Sequence, residues 1–149
     1  LENLSDQLKA KTVTRKYVAL VEGVIPHNLG KVNAPVGRDT KNRQKMNVVE
    51  RGKSAVTNFK VIARYEEHTL VECVLETGRT HQIRVHMNYI GYPIVGDPKY
   101  GKRKTDTTNG QFLHAEVLGF VHPITKEYIE FKSELPKYYK EFLETLEKR

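Results

Sequence analysis

Stretches in which apolar and polar residues alternate recur along this chain of 149 residues, and such alternation is typical of strands with one buried face. The pattern predicts strands over 11–25, 31–36, 54–65, 69–77, 112–122 and 128–132. Short turns at Glu66–His68 and Pro123–Lys126 join neighbouring strands as hairpins. Because hairpins connect strands of opposite direction, the sheet is predicted to be largely antiparallel.

Apolar residues at helical spacing predict a short helix after the fourth strand. Ile83, Met87 and Ile90 form its buried stripe. Thr80 is the predicted N-cap of a helix that starts at His81. A Gly- and Pro-rich segment then stops the helix and is expected to form a structured loop.

A second helix is predicted over 136–148, where Pro136 suits the first turn and an apolar stripe follows: Tyr139, Phe142, Leu143 and Leu146. Residues 1–10 are amphipathic and are expected to end a further helix. Together the elements predict one α+β domain, in which a mainly antiparallel or mixed β-sheet has helices packed against it.

Composition narrows the classes of partner. No apolar run approaches the roughly 20 residues that a membrane span needs, and the first residues lack the apolar core of a signal peptide. The single cysteine, Cys73, excludes an internal disulfide, fits a reducing compartment such as the cytoplasm, and is expected to be buried in a strand. A formal charge of +7 and a pI near 9.4 favour a polyanionic partner. No metal or cofactor site is expected.

Candidate chemistry concentrates in the stretch Leu75–Gly101. On the predicted helix, His81, Arg84 and Asn88 share the face away from the apolar stripe. Arg79 stands at the helix N-terminus, where a cation and free backbone N–H groups together suit a phosphate.

The segment Gly37–Gly52 carries many cations and few apolar residues, and it is predicted to be a loop. Its cations are Arg38, Lys41, Arg43, Lys45 and Arg51. Charge alone is compatible with two interpretations, a solvated loop or a loop that contacts phosphates and positions RNA.

The order of these motifs resembles the RluA family of pseudouridine synthases, which modify ribosomal large-subunit RNA and some tRNA. The resemblance rests on TGRTHQIRVH followed by GYPIVGDPKYG within Leu75–Gly101. Further segments follow in family order: KTVTRKYVALVEG, GRDTKNRQKM and FLHAEVLGFVHP. The resemblance therefore implies a pseudouridine synthase catalytic fold and RNA as the partner.

The resemblance also implies roles for particular residues. Tyr17, in the pattern R-x-Y-x-A, would lie beside the target base, and Arg84 would pair with a nucleophilic aspartate. Leu113 would line the uracil pocket. The remaining expected RNA contacts are Arg79, Thr80, His81, Arg38, Arg43 and Lys45. The residues alone favour other interpretations: a core or cross-strand aromatic for Tyr17, and a structural salt bridge or a solvent-facing helix position for Arg84.

The family's nucleophile is missing. It lies in a stretch similar to HRLDxxTSG, and none of the aspartates has that setting: Asp6, Asp39, Asp97 and Asp106. Residues 1–149 are therefore expected to be the C-terminal portion of a catalytic domain, inactive alone and able to self-associate. The parent protein is expected to be an active, cytoplasmic monomer that acts on 23S-type rRNA or tRNA. The alternative is a basic RNA-binding module without catalysis.

Overall fold

A computed structural model describes residues 14–101 and 109–148. The strands are β1 Thr14–Glu22, β2 Leu29–Asn33, β3 Val36–Arg38, β4 Met46–Val48, β5 Val56–Arg64, β6 His68–Leu75, β7 Leu113–Val121 and β8 Tyr128–Lys132. The helices are α1 Gln82–Tyr89 and α2 Lys137–Glu144. The helix expected over 1–10 lies outside the described residues.

Six strands form one sheet in the order β2-β5-β6-β1-β7-β8, and every neighbouring pair is antiparallel. This confirms the predicted α+β class and the hairpins β5–β6 and β7–β8. In the central strand β1, Tyr17 lies opposite Cys73 of β6 and Ala115 of β7. The register between β1 and β7 shifts at Lys16/Tyr17, so a bulge falls beside the tyrosine.

The core surrounds the middle of β1. Residues Val18–Val21 are all buried, and because successive strand residues point to opposite faces, both faces of the sheet are covered there. Ile83 and Met87 of α1 belong to this core, as predicted. From α2, Tyr139 is fully buried, with its hydroxyl oxygen 3.2 Å from the carbonyl oxygens of Val18 and Phe112.

The start of α1 differs from the prediction. The helix begins at Gln82, and His81 occupies the N-cap position in the left-handed region, with φ 55°. No side chain caps the helix, so the predicted capping role of Thr80 is wrong. The carboxamide oxygen of Gln82 instead accepts the backbone N–H of Arg79 at 3.0 Å. This bond fixes the turn from inside the helix.

The basic segment Gly37–Gly52 also differs from the predicted loop. Its two short strands, β3 and β4, pair as a separate two-stranded sheet, with Arg38 opposite Met46. The C-terminal helix is shorter than predicted and ends at Glu144. Neither helix in the described part of the chain is long and apolar enough to cross a membrane.

Candidate functional site

A cleft of about 330 Å³ opens where β1 and β7 meet the turn before α1. Its lining comprises Arg15, Tyr17, Leu75, Gly78, Arg79, His81, Gln82, Ile83, Arg84, Gln111 and Leu113. The structure thus brings together residues that are far apart in the sequence, including most of the candidates from the Leu75–Gly101 stretch. Arg38 and Thr80 line a neighbouring cavity instead, while Arg43 and Lys45 line neither.

Arg84 is held by a carboxylate of this chain. Its Nε donates to Oδ2 of Asp97 at 2.9 Å, and its Nη2 donates to Oδ1 at 2.7 Å. Arg84 is 9% exposed and Asp97 only 1%. The hydrogen bond to Asp97 raises the pKa of Arg84, against the opposing effect of burial. The pair confirms the salt-bridge interpretation, and within the described part of the chain it leaves Nη1 of Arg84 without a hydrogen bond.

Asp97 is ionised although it is buried. Burial alone would raise its pKa, but the hydrogen bonds from Arg84 and from the backbone N–H groups of Lys99 and Tyr100 outweigh that effect and lower it. Because both oxygens are engaged and the side chain does not line the cleft, Asp97 cannot attack a bound base.

Tyr100 connects this pair to the basic hairpin. Its ring lies under the guanidinium of Arg84, 5.1 Å from Cζ to the ring centroid. Its hydroxyl accepts the backbone N–H of Met46 at 2.9 Å and lies 2.9 Å from Nδ1 of His81. Burial and the nearby Arg84 cation lower the pKa of His81. The lowered pKa favours the neutral imidazole at pH 7, and Nδ1 and the Tyr100 hydroxyl share one hydrogen bond.

Gln82 anchors the turn that carries Arg79. Its Nε2 donates to the Val56 carbonyl at 3.0 Å, while its Oε1 accepts the Thr77 hydroxyl at 2.6 Å. One turn further along α1, His86 is fully buried between the Thr57 hydroxyl and the Ala34 carbonyl. These bonds fasten α1 to β5 and hold the cleft wall in place.

The Arg15 side chain in the cleft has an unsatisfied hydrogen-bond donor. Its Nε is buried and has no hydrogen-bond partner. The guanidinium packs against the backbone of Gly78, where any larger residue would contact it. Burial lowers the pKa of Arg15, although arginine stays charged at neutral pH. A cation held in this way is suited to an anion that arrives with a ligand.

Among the described residues, none that lines the cleft carries a carboxylate. Asp39 has a local role in the hairpin, where its Oδ1 accepts the backbone N–H groups of Lys41 and Asn42 at 2.7 and 3.0 Å. Those backbone hydrogen bonds lower the pKa of Asp39. Cys73 is fully buried, as predicted, and burial raises the pKa of its thiol to about 12, so it is no nucleophile. Within the ranges 14–101 and 109–148, no group of three or more potential metal ligands converges.

Sequence reasoning gave no role to Arg15, Gln82, Asp97 or Tyr100. Each lies within a segment that carries the family resemblance, so the match to the family could have indicated a role for it. The sequence does not show which distant residues come into contact in the fold. An example is the hydrogen bond between Tyr100 and Met46, which lie 54 positions apart.

A basic cleft with an aromatic residue at its wall is typical of sites for nucleic acid. The family model for RNA pseudouridylate synthase matches residues 1–89, and the chain belongs to this family. The resemblance found in the sequence is therefore confirmed.

Two bacterial proteins illustrate the similarity. An RNA pseudouridine synthase of Bacillus subtilis is 60% identical over 147 residues, which cover 99% of this chain and 48% of that protein. The ribosomal large subunit pseudouridine synthase D of Pseudomonas aeruginosa is 46% identical over 144 residues, covering 88% of this chain and 45% of its own length. The chain thus spans about half the length of these relatives.

Solved structures agree on the fold. Human RNA pseudouridylate synthase domain containing 1 superimposes with a TM-score of 0.78 at 28% identity, covering 87% of this chain and 58% of that one. Human RNA pseudouridylate synthase domain containing 4 gives a TM-score of 0.74 at 24% identity, covering 98% and 67%, and supports the fold alone.

Proposed function

We propose that the full-length protein carrying this chain is an RNA pseudouridine synthase that isomerises uridine in ribosomal large-subunit RNA. Family membership supports the reaction class, and the name of the Pseudomonas aeruginosa relative supports 23S-type rRNA as substrate, with tRNA as the competing one. We propose further that the protein acts in the cytoplasm as a monomer, without a cofactor.

The observation that carries this proposal is the convergence of Tyr17, Leu113 and Arg84 on one cleft. The three residues belong to β1, β7 and α1, and the resemblance assigns them to the base, the uracil pocket and the nucleophile. No local sequence constraint would bring them together. An aromatic ring, an apolar wall and a cation are what a uracil base and its sugar-phosphate require.

The reaction needs no net change of composition. The bond between N1 and C1′ breaks, the detached uracil turns, and a bond forms between C5 and C1′, while C5 loses a proton and N1 gains one. Tyr17 can stack on the extruded base, and Leu113 can exclude water beside it. Arg79, whose Nε donates to the Ser54 carbonyl at 2.8 Å, keeps its other nitrogens for phosphate.

None of the described residues that line the cleft carries a carboxylate. The nucleophile therefore has to come from another part of the protein. An aspartate delivered to the cleft would meet Nη1 of Arg84, which bonds to no residue in the described part of the chain, and the guanidinium of Arg15, whose Nε has no partner. Either cation would hold it ionised. We therefore propose that residues 1–149 are the C-terminal portion of the catalytic domain and are inactive alone.

The substrate class is tested with full-length protein and two transcripts, one of 23S-type rRNA and one of tRNA. Pseudouridine is mapped in each RNA after incubation. We expect modification at a defined position in the 23S-type transcript. Modification of tRNA alone would move the substrate to the competing class, and no pseudouridine in either would contradict the proposed reaction.

The second candidate, an RNA-binding module without catalysis, is favoured by the carboxylate-free cleft for this chain taken alone. Binding would then be electrostatic and insensitive to sequence. Changing Arg38, Lys41, Arg43 and Lys45 to Ala should weaken binding and flatten its salt dependence. Equal affinity at 50 and 200 mM salt would contradict an electrostatic mode of binding.

A further inference from the structure

A second cavity, of about 400 Å³, lies on the other side of the turn at Gly78–Arg79. Both residues of that turn line both cavities, so the two are neighbours separated by one stretch of backbone. The second cavity is bounded by the β3–β4 hairpin and by the segment that leads into β5, which includes Arg51 and Lys53.

Cations surround this cavity without counterions. Arg38, Arg51, Lys53 and Arg79 line it, and no Asp or Glu of residues 14–101 and 109–148 does. In the described part of the chain, the side chains of Arg51 and Lys53 enter no ion pair or hydrogen bond. The two free side chains are also exposed, so their charges are available to a ligand.

The wall between these cations is rigid. Val36 and Lys53 exchange two backbone hydrogen bonds, each of 2.9 Å. A Cβ on Gly52 would stand 2.6 Å from the carbonyl carbon of Val36, and one on Gly37 would stand 3.1 Å from the Gly52 Cα. Backbone therefore packs against backbone, so the backbone positions that carry Arg51 and Lys53 are fixed before any ligand arrives.

The apolar part of the lining favours more than a bare anion. Val36 is buried at the base of the cavity and Met46 is half-buried. Methionine adapts its shape to an irregular partner. Cations at the rim with an apolar base are the arrangement that a phosphate attached to a sugar and base requires.

We propose that this cavity is a nucleotide subsite, which holds the RNA residue next to the target uridine through its phosphate. Arg51 and Lys53 bind that phosphate, and Arg79 bridges it to the phosphate of the uridine. The inference rests on the proposed function, because the neighbouring cleft is taken to hold the target. It adds Lys53 to the RNA-contacting residues, gives Arg51 of the basic segment a particular phosphate, and gives the flanking nucleotide a fixed place.

The test measures how one phosphate couples to these two side chains. Full-length protein and its Arg51→Gln/Lys53→Gln variant bind a fluorescein-labelled RNA heptamer with a single central uridine. In a series of heptamers, one phosphate at a time is replaced by an uncharged methylphosphonate. The control variant, Lys60→Gln/Lys126→Gln, removes the same charge from exposed positions that line neither cavity.

We expect the Arg51→Gln/Lys53→Gln variant to bind the unmodified heptamer about tenfold more weakly than the control variant. At one position beside the uridine, the methylphosphonate should weaken wild-type binding by a similar factor and leave the variant unchanged, because the interaction is already lost. The subsite would be overturned if the methylphosphonate weakened binding of the wild type and of the variant by the same factor at every position. It would also be overturned if the variant bound the unmodified heptamer as tightly as the control variant.

Turnover separates this inference from the proposed function. Tritium release from RNA containing 5-³H-uridine is measured on the same wild-type protein. Phosphate coupling without tritium release would retain the subsite and contradict the synthase, whereas tritium release without coupling would do the reverse.

Discussion

Arg84 and Asp97, on α1 and in the loop that follows it, form a two-pronged ion pair with N–O distances of 2.9 and 2.7 Å at the back of the cleft. The arginine that the resemblance assigns to catalysis is thus positioned by an aspartate that is itself inaccessible. The buried pair is expected to act as a support, fixing the direction of the guanidinium before RNA binds.

Replacing Asp97 with Asn should therefore destabilise the protein strongly. The substitution leaves the Arg84 charge buried without a counterion, at a cost of about 3 kcal/mol in the free energy of unfolding. Urea unfolding followed by circular dichroism measures the loss. The control Asp39→Asn removes an exposed carboxylate and should cost less than about 1 kcal/mol. Equal stability of the two variants would mean that the pair is not structurally important.

Stability should also depend on pH through His86. Burial lowers the pKa of this histidine in the folded protein, while the unfolded value is about 6.5. The unfolded state therefore binds the proton more readily than the folded state. The contribution of neutral His86 to the free energy of unfolding is complete above about pH 6.5 and is lost as the pH falls through the folded pKa. His86→Gln keeps a donor for the Ala34 carbonyl but does not titrate. In urea unfolding, it should flatten the dependence of the free energy of unfolding on pH between pH 7 and 5. A pH dependence in His86→Gln as steep as that of the wild type would contradict this assignment.

The sequence predicted the hairpins well because each depends on local alternation and a short turn: residues 112–122 and 128–132 became β7 and β8 with nearly the same bounds. It failed where a distant or competing contact decides the structure. Thr80 does not cap α1 because the helix begins at Gln82, and His81 occupies the N-cap position in the left-handed region. The site was found from the motifs, but the pairing of Arg84 with Asp97 depends on the path of a loop, which periodicity does not specify.

Arg15 provides a test in which stability and RNA binding should separate. Its buried Nε has no partner, so Arg15→Met removes an unsatisfied hydrogen-bond donor and should leave the free energy of unfolding unchanged or raise it slightly. RNA affinity should nevertheless fall about tenfold, because the cleft loses a cation. Calorimetry and fluorescence anisotropy measure the two quantities. Lys16→Met, on the next residue of β1, is the control; if it weakens binding as much, the effect of Arg15 is only net charge.

Residues 1–149 expressed alone should self-associate. The strand β8 forms one edge of the sheet, and its Tyr128 and Phe131 are 50% and 58% exposed. An apolar edge strand invites pairing with another chain. Sedimentation should show dimers or larger species, and Phe131→Lys should shift them towards monomer. A wild-type fragment that sediments as a monomer at all concentrations would contradict this expectation.

The central claim is that Arg84 serves the isomerisation of uridine, and tritium release from RNA containing 5-³H-uridine tests it most directly. Full-length wild type is compared with Arg84→Lys and Arg84→Ala at a temperature where circular dichroism shows all three folded. We predict that Arg84→Ala loses at least about a hundredfold in turnover but much less in RNA affinity, that Arg84→Lys keeps part of the activity, and that residues 1–149 alone release no tritium. Full turnover by Arg84→Ala, or any turnover by residues 1–149, would contradict the account.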